Sequence, residues 1–276
     1  MNPILPKMGL HRIKDQIQLR FMGKQAEALG FCLDKAISST RLQVPFRRNP
    51  YPLKRPVEGR PKLNNPKCIR EKHWEEALWR GNNKFCVDTI PWREIVTYQI
   101  MLGDWGAKEN NQGWGEIDLL AISQSGFPIP IEVKANNEEC ILRAILEAVA
   151  YGVALQEIWK CQRPPIDCSS KWDSFFNQWR VRAKEIGFNV DARAKMDECT
   201  VVCAAPQIYW ETCIGDRTKH GRSQVFSIDW LQIDKLISKL AKTGFHVRFM
   251  SLVHNSTDLH GLPKILRFEE LRLPSS

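Results

Sequence analysis

The feature that most constrains the fold is a pair of apolar runs, residues 115–123 and 128–135, separated by the turn sequence QSGFP. Both runs are short and rich in Ile, Leu and Val, and the turn contains Gly and Pro, so together they predict a β-hairpin. A long segment, residues 138–160, follows and carries apolar residues at four-residue spacing (Ile141, Ile145, Val149 and Val153). This spacing predicts one long helix packed directly after the hairpin.

Charged residues interrupt the two predicted strands. Because side chains alternate along a strand, Glu116 and Asp118 share one face of the first strand, and Glu132 and Lys134 share one face of the second. Carboxylates that converge in this way repel one another unless cations neutralise them. One interpretation is a surface hairpin with cross-strand ion pairs, such as Asp118 with Lys134. The other is a site for Mg²⁺ or Mn²⁺, which could polarise a phosphoryl oxygen and activate a water.

The surrounding sequence predicts an α/β domain. Helices are expected at residues 66–81 and 91–103, the second because Pro91 stands at its first turn and Gly103 after its end. Further elements are a short strand at 84–90, a helix at 170–187, a strand at 199–206, a helix at 227–244 with Ser227 as N-cap, and a strand at 245–253. The last strand, helix and strand indicate a parallel βαβ unit.

The N-terminal part differs in composition. Residues 41–72 carry ten Lys or Arg, two Glu and six Pro, and this proline density excludes a long helix or a central strand. We therefore expect residues 1–65 to form a helical segment and a basic arm, and residues 66–276 to form the α/β domain. The arm either follows phosphates, with Arg47, Arg48, Lys54 and Arg55 as contacts, or is a solvated linker.

Overall charge and composition limit the partners. The chain of 276 residues has a net charge of +9 and a pI near 9.1, which favours nucleic acid. It shows no apolar run typical of a signal peptide or a membrane span, so we expect an intracellular, cytoplasmic protein without membrane partners. Nine scattered cysteines without CxxC spacing indicate reduced thiols rather than a zinc site.

The sequence GEIDLLAI, followed by IEVK, resembles the PD-(D/E)xK nuclease superfamily, and its GEID form is similar to that of Holliday-junction resolvases. The resemblance covers residues 91–160. It implies a restriction-endonuclease-like core, a central mixed β-sheet flanked by helices, in the order helix, three antiparallel strands, helix and strand. It also implies Asp118 and Glu132 as ligands of Mg²⁺ or Mn²⁺, together with the main-chain carbonyl of Val133. Lys134 would orient or deprotonate the attacking water, or stabilise charge on the phosphate.

The same resemblance implies further site residues. A Glu on the helix before the first strand would complete the metal site: Glu94, or alternatively Glu75 or Glu76 if the strand at 84–90 is the first of the core. Glu116 is a candidate for assisting the metal or positioning a water. Some family members carry Gln-xxx-Tyr on the helix after the hairpin, where this chain has Glu147 and Tyr151. These two either assist the site or belong to an i,i+4 ion-pair stripe with Glu139 and Arg143.

The sequence thus predicts a metal-dependent phosphodiesterase, and specifically a DNA endonuclease. Two alternatives stay open. The chain could bind nucleic acid without cutting it, or it could be an accessory subunit of a restriction, repair, transposition or defence complex that docks protein partners through its arm. The sequence does not indicate an oligomeric state.

Overall fold

A computed structural model describes residues 69, 71–81, 92–101, 116–135, 141–160, 179–190, 196–214, 230–257 and 262–271. Several predicted features lie outside the described residues: the arm with Arg47, Arg48, Lys54 and Arg55, the strand at 84–90, and the N-cap Ser227.

The described elements alternate between helices and strands. In chain order they are α1 (Glu71–Gly81), β1 (Trp92–Met101), β2 (Glu116–Ser123), β3 (Pro128–Val133), α2 (Ile141–Lys160), α3 (residues 179–185), β4 (Cys199–Pro206), α4 (Gln207–Ile214), α5 (Trp230–Lys242), β5 (Phe245–Thr257) and β6 (Pro263–Glu270).

The six strands form one mixed sheet in the order β1-β2-β3-β4-β5-β6. The first three strands are antiparallel, β3, β4 and β5 are parallel, and β6 returns antiparallel to β5. The α/β class, the hairpin, the long helix after it and the parallel pairing of β4 with β5 are therefore confirmed.

The hairpin turn explains why β2 and β3 pair in this register. Gly126 has φ 87°, a left-handed conformation that favours glycine. The amide of Gly126 donates to the carbonyl of Ser123 (3.0 Å), and the amide of Phe127 donates to the Ser123 hydroxyl (2.9 Å). Leu119 consequently lies opposite Ile131, and Ile122 lies opposite Pro128.

The prediction of a helix at residues 91–103 is wrong, because this segment is strand β1, paired with β2. Ile95 and Val96 are neighbours, yet both are buried, one in the apolar cluster on each face of the sheet. Such two-sided burial suits a strand, and β-branched Ile, Val and Thr favour it. Pairing with β2 outweighs the local helix signals of Pro91 and Gly103. Strand β6 and the short helix α4 were not predicted.

The sheet separates two apolar clusters. Helices α2 and α5 cover one face, and α1 packs against the other. The sheet curls around α1: Trp92 of β1 and Phe268 of β6, which lie on the two edge strands, make an edge-to-face contact at 5.4 Å between ring centroids. Residues 73–79 of α1 are all buried as a result, including His73, Glu75 and Glu76.

Helix α2 lies deep in the molecule. Residues 144–156 are buried without interruption, which differs from the one-sided apolar pattern that its sequence predicts. Gly152 permits the close approach, since a Cβ atom there would lie 2.8 Å from Cγ1 of Val201 on β4. None of the helices in the described ranges is long and apolar enough to cross a membrane.

Candidate active site

The candidate site lies where β2 and β3 separate. The last pair of their ladder at this end is Leu119 with Ile131. Beyond it the amide of Val133 donates a hydrogen bond of 2.7 Å to Oδ2 of Asp118 instead of to the neighbouring backbone. The Asp118 carboxylate is thereby fixed to β3 between Glu132 and Lys134.

Lys134 occupies the centre of the site. Its side chain is only 5% exposed, and its ammonium lies 2.7 Å from Oε1 of Glu132 and 3.0 Å from Oε2 of Glu147. A carboxylate oxygen of Glu71 is 3.8 Å away. The Lys134 amide also donates to the carbonyl of Ala204 (2.9 Å), which joins this residue to β4. The pairs of Lys134 with Glu132 and Glu147 lie in the interior, so these charges are not an exposed surface network.

Helix α1 places a further carboxylate, that of Glu75, near Asp118. Burial raises the pKa of Asp118 well above its ordinary value, and the charge of Glu75 raises it further. Lys134 and the Val133 amide act in the opposite direction, while Glu71 adds a smaller increase. Glu75 is itself buried on α1, and its effect on Asp118 places it beside the site. Asp118 keeps partial exposure to solvent, which leaves the cluster open on that side.

The two carboxylate oxygens of Glu132 differ in their hydrogen bonding. Oε1 accepts a hydrogen bond from the Lys134 ammonium, whereas buried Oε2 has no hydrogen-bond partner within the part of the chain that the structure describes. Burial raises the pKa of Glu132 well above its ordinary value, with further increases from Asp118 and Glu147, and Lys134 opposes them. A hydrogen bond between the Glu132 and Glu147 carboxyls also raises the pKa of Glu132. A buried carboxylate oxygen without a donor is costly, and either a proton shared with Glu147 or a bound cation would offset that cost.

Helix α2 brings Glu147 and Tyr151 to the same place. Both are 2% exposed, so Glu147 does not belong to an exposed ion-pair stripe. Burial raises the pKa of Tyr151, and Glu132 and Glu147 raise it further. The phenol therefore stays neutral beside the carboxylates. Glu139 and the side chain of Arg143 lie outside the description.

The assignment of Glu94 to the site is not supported by its position. Glu94 lies on β1 opposite Ile122, which is four residues along β2 from Asp118, roughly 13 Å at strand spacing. Its carboxylate accepts a 2.8 Å hydrogen bond from Arg182 of α3. Of the two alternatives, Glu76 pairs with Arg80 at 2.5 Å, and Glu75 faces Asp118.

One sequence signal could have selected Glu75. It lies among Trp74, Ala77, Leu78 and Trp79, where a charge on the buried face of a helix demands a partner. Glu116 lies on β2 opposite Met101, and its side chain is not among those described.

The donor set suits a hard divalent cation. Four carboxyl groups (Glu71, Asp118, Glu132 and Glu147) interact with one ammonium, and Glu75 adds a fifth beside Asp118, an arrangement that further positive charge would stabilise. Within the described ranges, no three His, Cys, Asp or Glu side chains already converge closely enough to hold a metal ion. The fit therefore rests on Asp118 and Glu132, and two carboxylates with waters are a common ligand set for Mg²⁺.

No protein-family model matches the chain, and comparisons with curated proteins and with solved structures give no match either. The geometry of the site therefore carries the functional argument alone.

Proposed function

We propose that this protein is a Mg²⁺- or Mn²⁺-dependent nuclease of PD-(D/E)xK type that hydrolyses phosphodiester bonds in DNA by internal cleavage. The observation that carries the proposal is the placement of Asp118, Glu132 and buried Lys134 on the separated ends of adjacent strands. The order of elements supports it, since a helix, three antiparallel strands, a helix and a parallel strand is the order of a restriction-endonuclease-like core.

In this proposal the carboxylates hold the ion. Asp118 and the partnerless Oε2 of Glu132 would be its side-chain ligands, with the carbonyl of Val133 beside them. Glu75, which faces Asp118 from α1, is the third carboxylate, in place of Glu94. When bound, the ion supplies Lewis-acid stabilisation of the phosphoryl oxygens and lowers the pKa of a water.

Lys134 has a separate role. Glu132 and Glu147 keep its ammonium at a fixed place beside Asp118 and limit its rotamers. From there it can orient the attacking water or stabilise negative charge on the scissile phosphate. Tyr151 lines the same interior and, as a neutral phenol, can donate a hydrogen bond to the carboxylates.

The choice of substrate follows from charge. The net charge of +9 and the basic stretch before residue 72 favour a polyanion, and DNA is the substrate of most proteins with the resembling motif. The intracellular, cytoplasmic location and the docking of protein partners through the arm remain predictions.

Cleavage assays test the proposal. Supercoiled plasmid, a branched DNA and a single strand are incubated with Mg²⁺ or Mn²⁺ and the intact chain, Asp118→Asn, Lys134→Met or Glu94→Gln. We expect the intact chain and Glu94→Gln to cut, and Asp118→Asn and Lys134→Met to lose at least about 100-fold in rate while still binding DNA. The assays are run at a temperature at which thermal unfolding shows every variant to be folded, because Lys134→Met also destabilises the protein. If the intact chain binds DNA but cuts none of these substrates, the protein is a non-catalytic binder or an accessory subunit instead.

A further inference from the structure

The site lies at the edge of the sheet formed by the carboxyl ends of β3, β4 and β5. At this edge β5 extends well beyond β4. Along this edge Val133 lies beside Ala204, and Ala204 lies beside Met250. The pairing of β4 with β5 ends at Pro206 and Leu252, yet β5 continues to Thr257, a further 16 Å or so at strand spacing. Strand β6 begins opposite this extension, so residues 253–257 and 262–265 form a two-stranded ribbon, here named the β5–β6 projection.

The projection is irregular at His254. The register of β5 against β6 shifts on both sides of this residue, between Val253 and His254 and again between His254 and Thr257. Bulges of this kind change the direction of a side chain and are frequent beside active sites. His254 is exposed, and its ring stands edge-on against Trp74 at 4.8 Å between centroids.

This contact joins the projection to the site. Trp74 belongs to α1, the helix whose Glu71 and Glu75 lie beside Lys134 and Asp118. By strand spacing, His254 lies roughly 16 Å from Val133, two strands across and four residues further along. That distance corresponds to about five nucleotide steps of one DNA strand at 3.4 Å each.

The projection combines buried apolar residues with exposed polar ones. Leu262 and Ile265 are buried in the same apolar cluster as Trp74 of α1. The side chains described as exposed are all polar or basic: His254, Asn255, Thr257 and Lys264. Neither described segment, 253–257 or 262–265, contains a carboxylate. His254 contacts Trp74 and therefore lies on the α1 side of the ribbon. Lys264 neighbours Ile265, the partner of His254, and therefore points to the opposite side. Hydrogen-bond donors and positive charge are the groups that bind the phosphates of a nucleic acid.

We propose that the β5–β6 projection is a nucleic-acid-binding ribbon, which contacts phosphates of the nucleic acid in the site with His254 on one side and Lys264 on the other. The inference rests on the proposed function insofar as the site acts on nucleic acid. It concerns binding rather than cleavage, so the two can fail separately. An acidic protein segment is the competing partner and is distinguished by the test.

The test compares two matched double variants. His254→Gln with Lys264→Gln removes both groups from the projection. The control, His246→Gln with Lys242→Gln, removes the same residue types near the opposite end of β5. There His246 pairs with Thr200 of β4, and Lys242 is the last residue of α5. Both are made in the Asp118→Asn background, and the Kd for labelled single- and double-stranded DNA is measured in EDTA at several salt concentrations. Thermal unfolding confirms that each variant is folded.

We expect the projection variant to bind DNA roughly tenfold more weakly and with a salt slope lower by about 1, since one Lys–phosphate contact is lost, while the control stays within about twofold. Equal affinities of the two variants, or equal losses in both, would overturn the inference. Absence of DNA binding by the parent protein would overturn it as well and would favour the acidic protein partner. A loss confined to the projection in a protein that never cuts DNA supports the inference and refutes the nuclease. If the chain with Asp118 intact cuts DNA and the projection variant binds DNA as tightly as its parent, the nuclease proposal stands and the inference about the projection is refuted.

Discussion

The Lys134 ammonium lies 3.0 Å from the carboxylate of Glu147, so one buried ion pair joins the end of β3 to the helix that follows it. Both residues are nearly inaccessible to solvent, and Glu132 shares the same ammonium. Buried charges of this kind are stable only together, because removing one leaves the others without compensation. The proposed chemistry and the stability of the fold therefore depend on the same contacts.

Replacing Lys134 by Met should lower the free energy of unfolding by about 3–5 kcal/mol at neutral pH, because two buried carboxylates then face each other without a cation. The loss should shrink in mildly acidic solution, where the carboxyls take up protons. Urea denaturation at two pH values measures it. Adding Glu147→Gln should recover part of the loss, giving a non-additive double-mutant cycle. Strictly additive effects would show that the two groups do not interact.

The raised pKa values of Asp118 and Glu132 predict how stability depends on pH when no divalent ion is present. Between the unfolded and folded pKa values, the folded state holds more protons than the unfolded state. The free energy of unfolding is therefore greatest below the ordinary pKa values of 3.8 and 4.5, and it falls as the pH rises from there through the raised folded pKa values. The variants Asp118→Asn and Glu132→Gln should flatten this dependence. Denaturation midpoints from roughly pH 5 to 8, compared with the intact chain, test it; parallel curves would contradict it.

Binding of Mg²⁺ should oppose the fall in the free energy of unfolding as the pH rises. Because the ion and protons compete for the same carboxylates, its affinity should rise with pH, and so should its stabilising effect. Thermal unfolding with and without Mg²⁺ at two pH values measures this. Asp118→Asn should abolish the effect, and Glu94→Gln should leave it intact, since Glu94 binds Arg182 instead.

Glu75 and Glu94 provide a direct comparison of two carboxylates. Glu75→Gln should reduce metal affinity or cleavage by about 10–100-fold, since this residue faces Asp118. Glu94→Gln should leave both near the level of the intact chain. Calorimetric titration with Mn²⁺ gives a measure that does not depend on activity. The reverse ranking would restore Glu94 as the site residue.

Gly152→Ala should destabilise the protein by about 1–2 kcal/mol even though alanine favours helices, because the new methyl group meets Val201 at 2.8 Å. Val201→Ala alone should also destabilise, by creating a cavity. The double variant should be more stable than the sum of the two changes predicts, as the added methyl group fills the vacated space. Chemical denaturation of all four proteins completes the cycle.

Burial raises the pKa of the Cys199 thiol to about 12, and burial also raises the pKa of Cys203. Neither thiol should react with iodoacetamide in the native protein at pH 8, since the thiolate is the reactive form. Both should react after denaturation. Peptide mass mapping distinguishes them from other cysteines, and rapid native labelling of either would contradict their burial.

The hairpin and the long helix could be predicted because their signals are local. The turn residues before Phe127 and the four-residue spacing from Ile141 act over a few positions, and the structure agrees with both. The β1 segment could not be predicted in this way. Ile95 and Val96 become a strand only because β2 lies beside them, which is a contact between distant parts of the chain. β6 likewise depends on pairing with β5.

In the candidate site, too, some residues are brought together by the local sequence and others only by contacts between distant parts of the chain. Asp118, Glu132 and Lys134 come together through one hairpin, so their proximity could be inferred from the sequence. Glu75 approaches them only through the curl of the sheet around α1, and Glu147 through the depth of α2. Glu147 was a candidate only through the likeness of Glu147 and Tyr151 to Gln-xxx-Tyr, and no spacing along the chain encodes the approach of Glu75. The choice of Glu94 depended on the predicted helix at residues 91–103, which is strand β1 in the structure.

The edge-to-face contact of Trp92 with Phe268 has a consequence for how the protein is made. The two rings close the curled sheet around α1, yet α1 is the first described helix and β6 the last described strand. During synthesis, α1 leaves the ribosome long before the strand that encloses it exists. Glu75 therefore reaches its buried position only after β6 has been synthesised, and a chain interrupted before β6 would carry the proposed catalytic residues without the enclosure that aligns them.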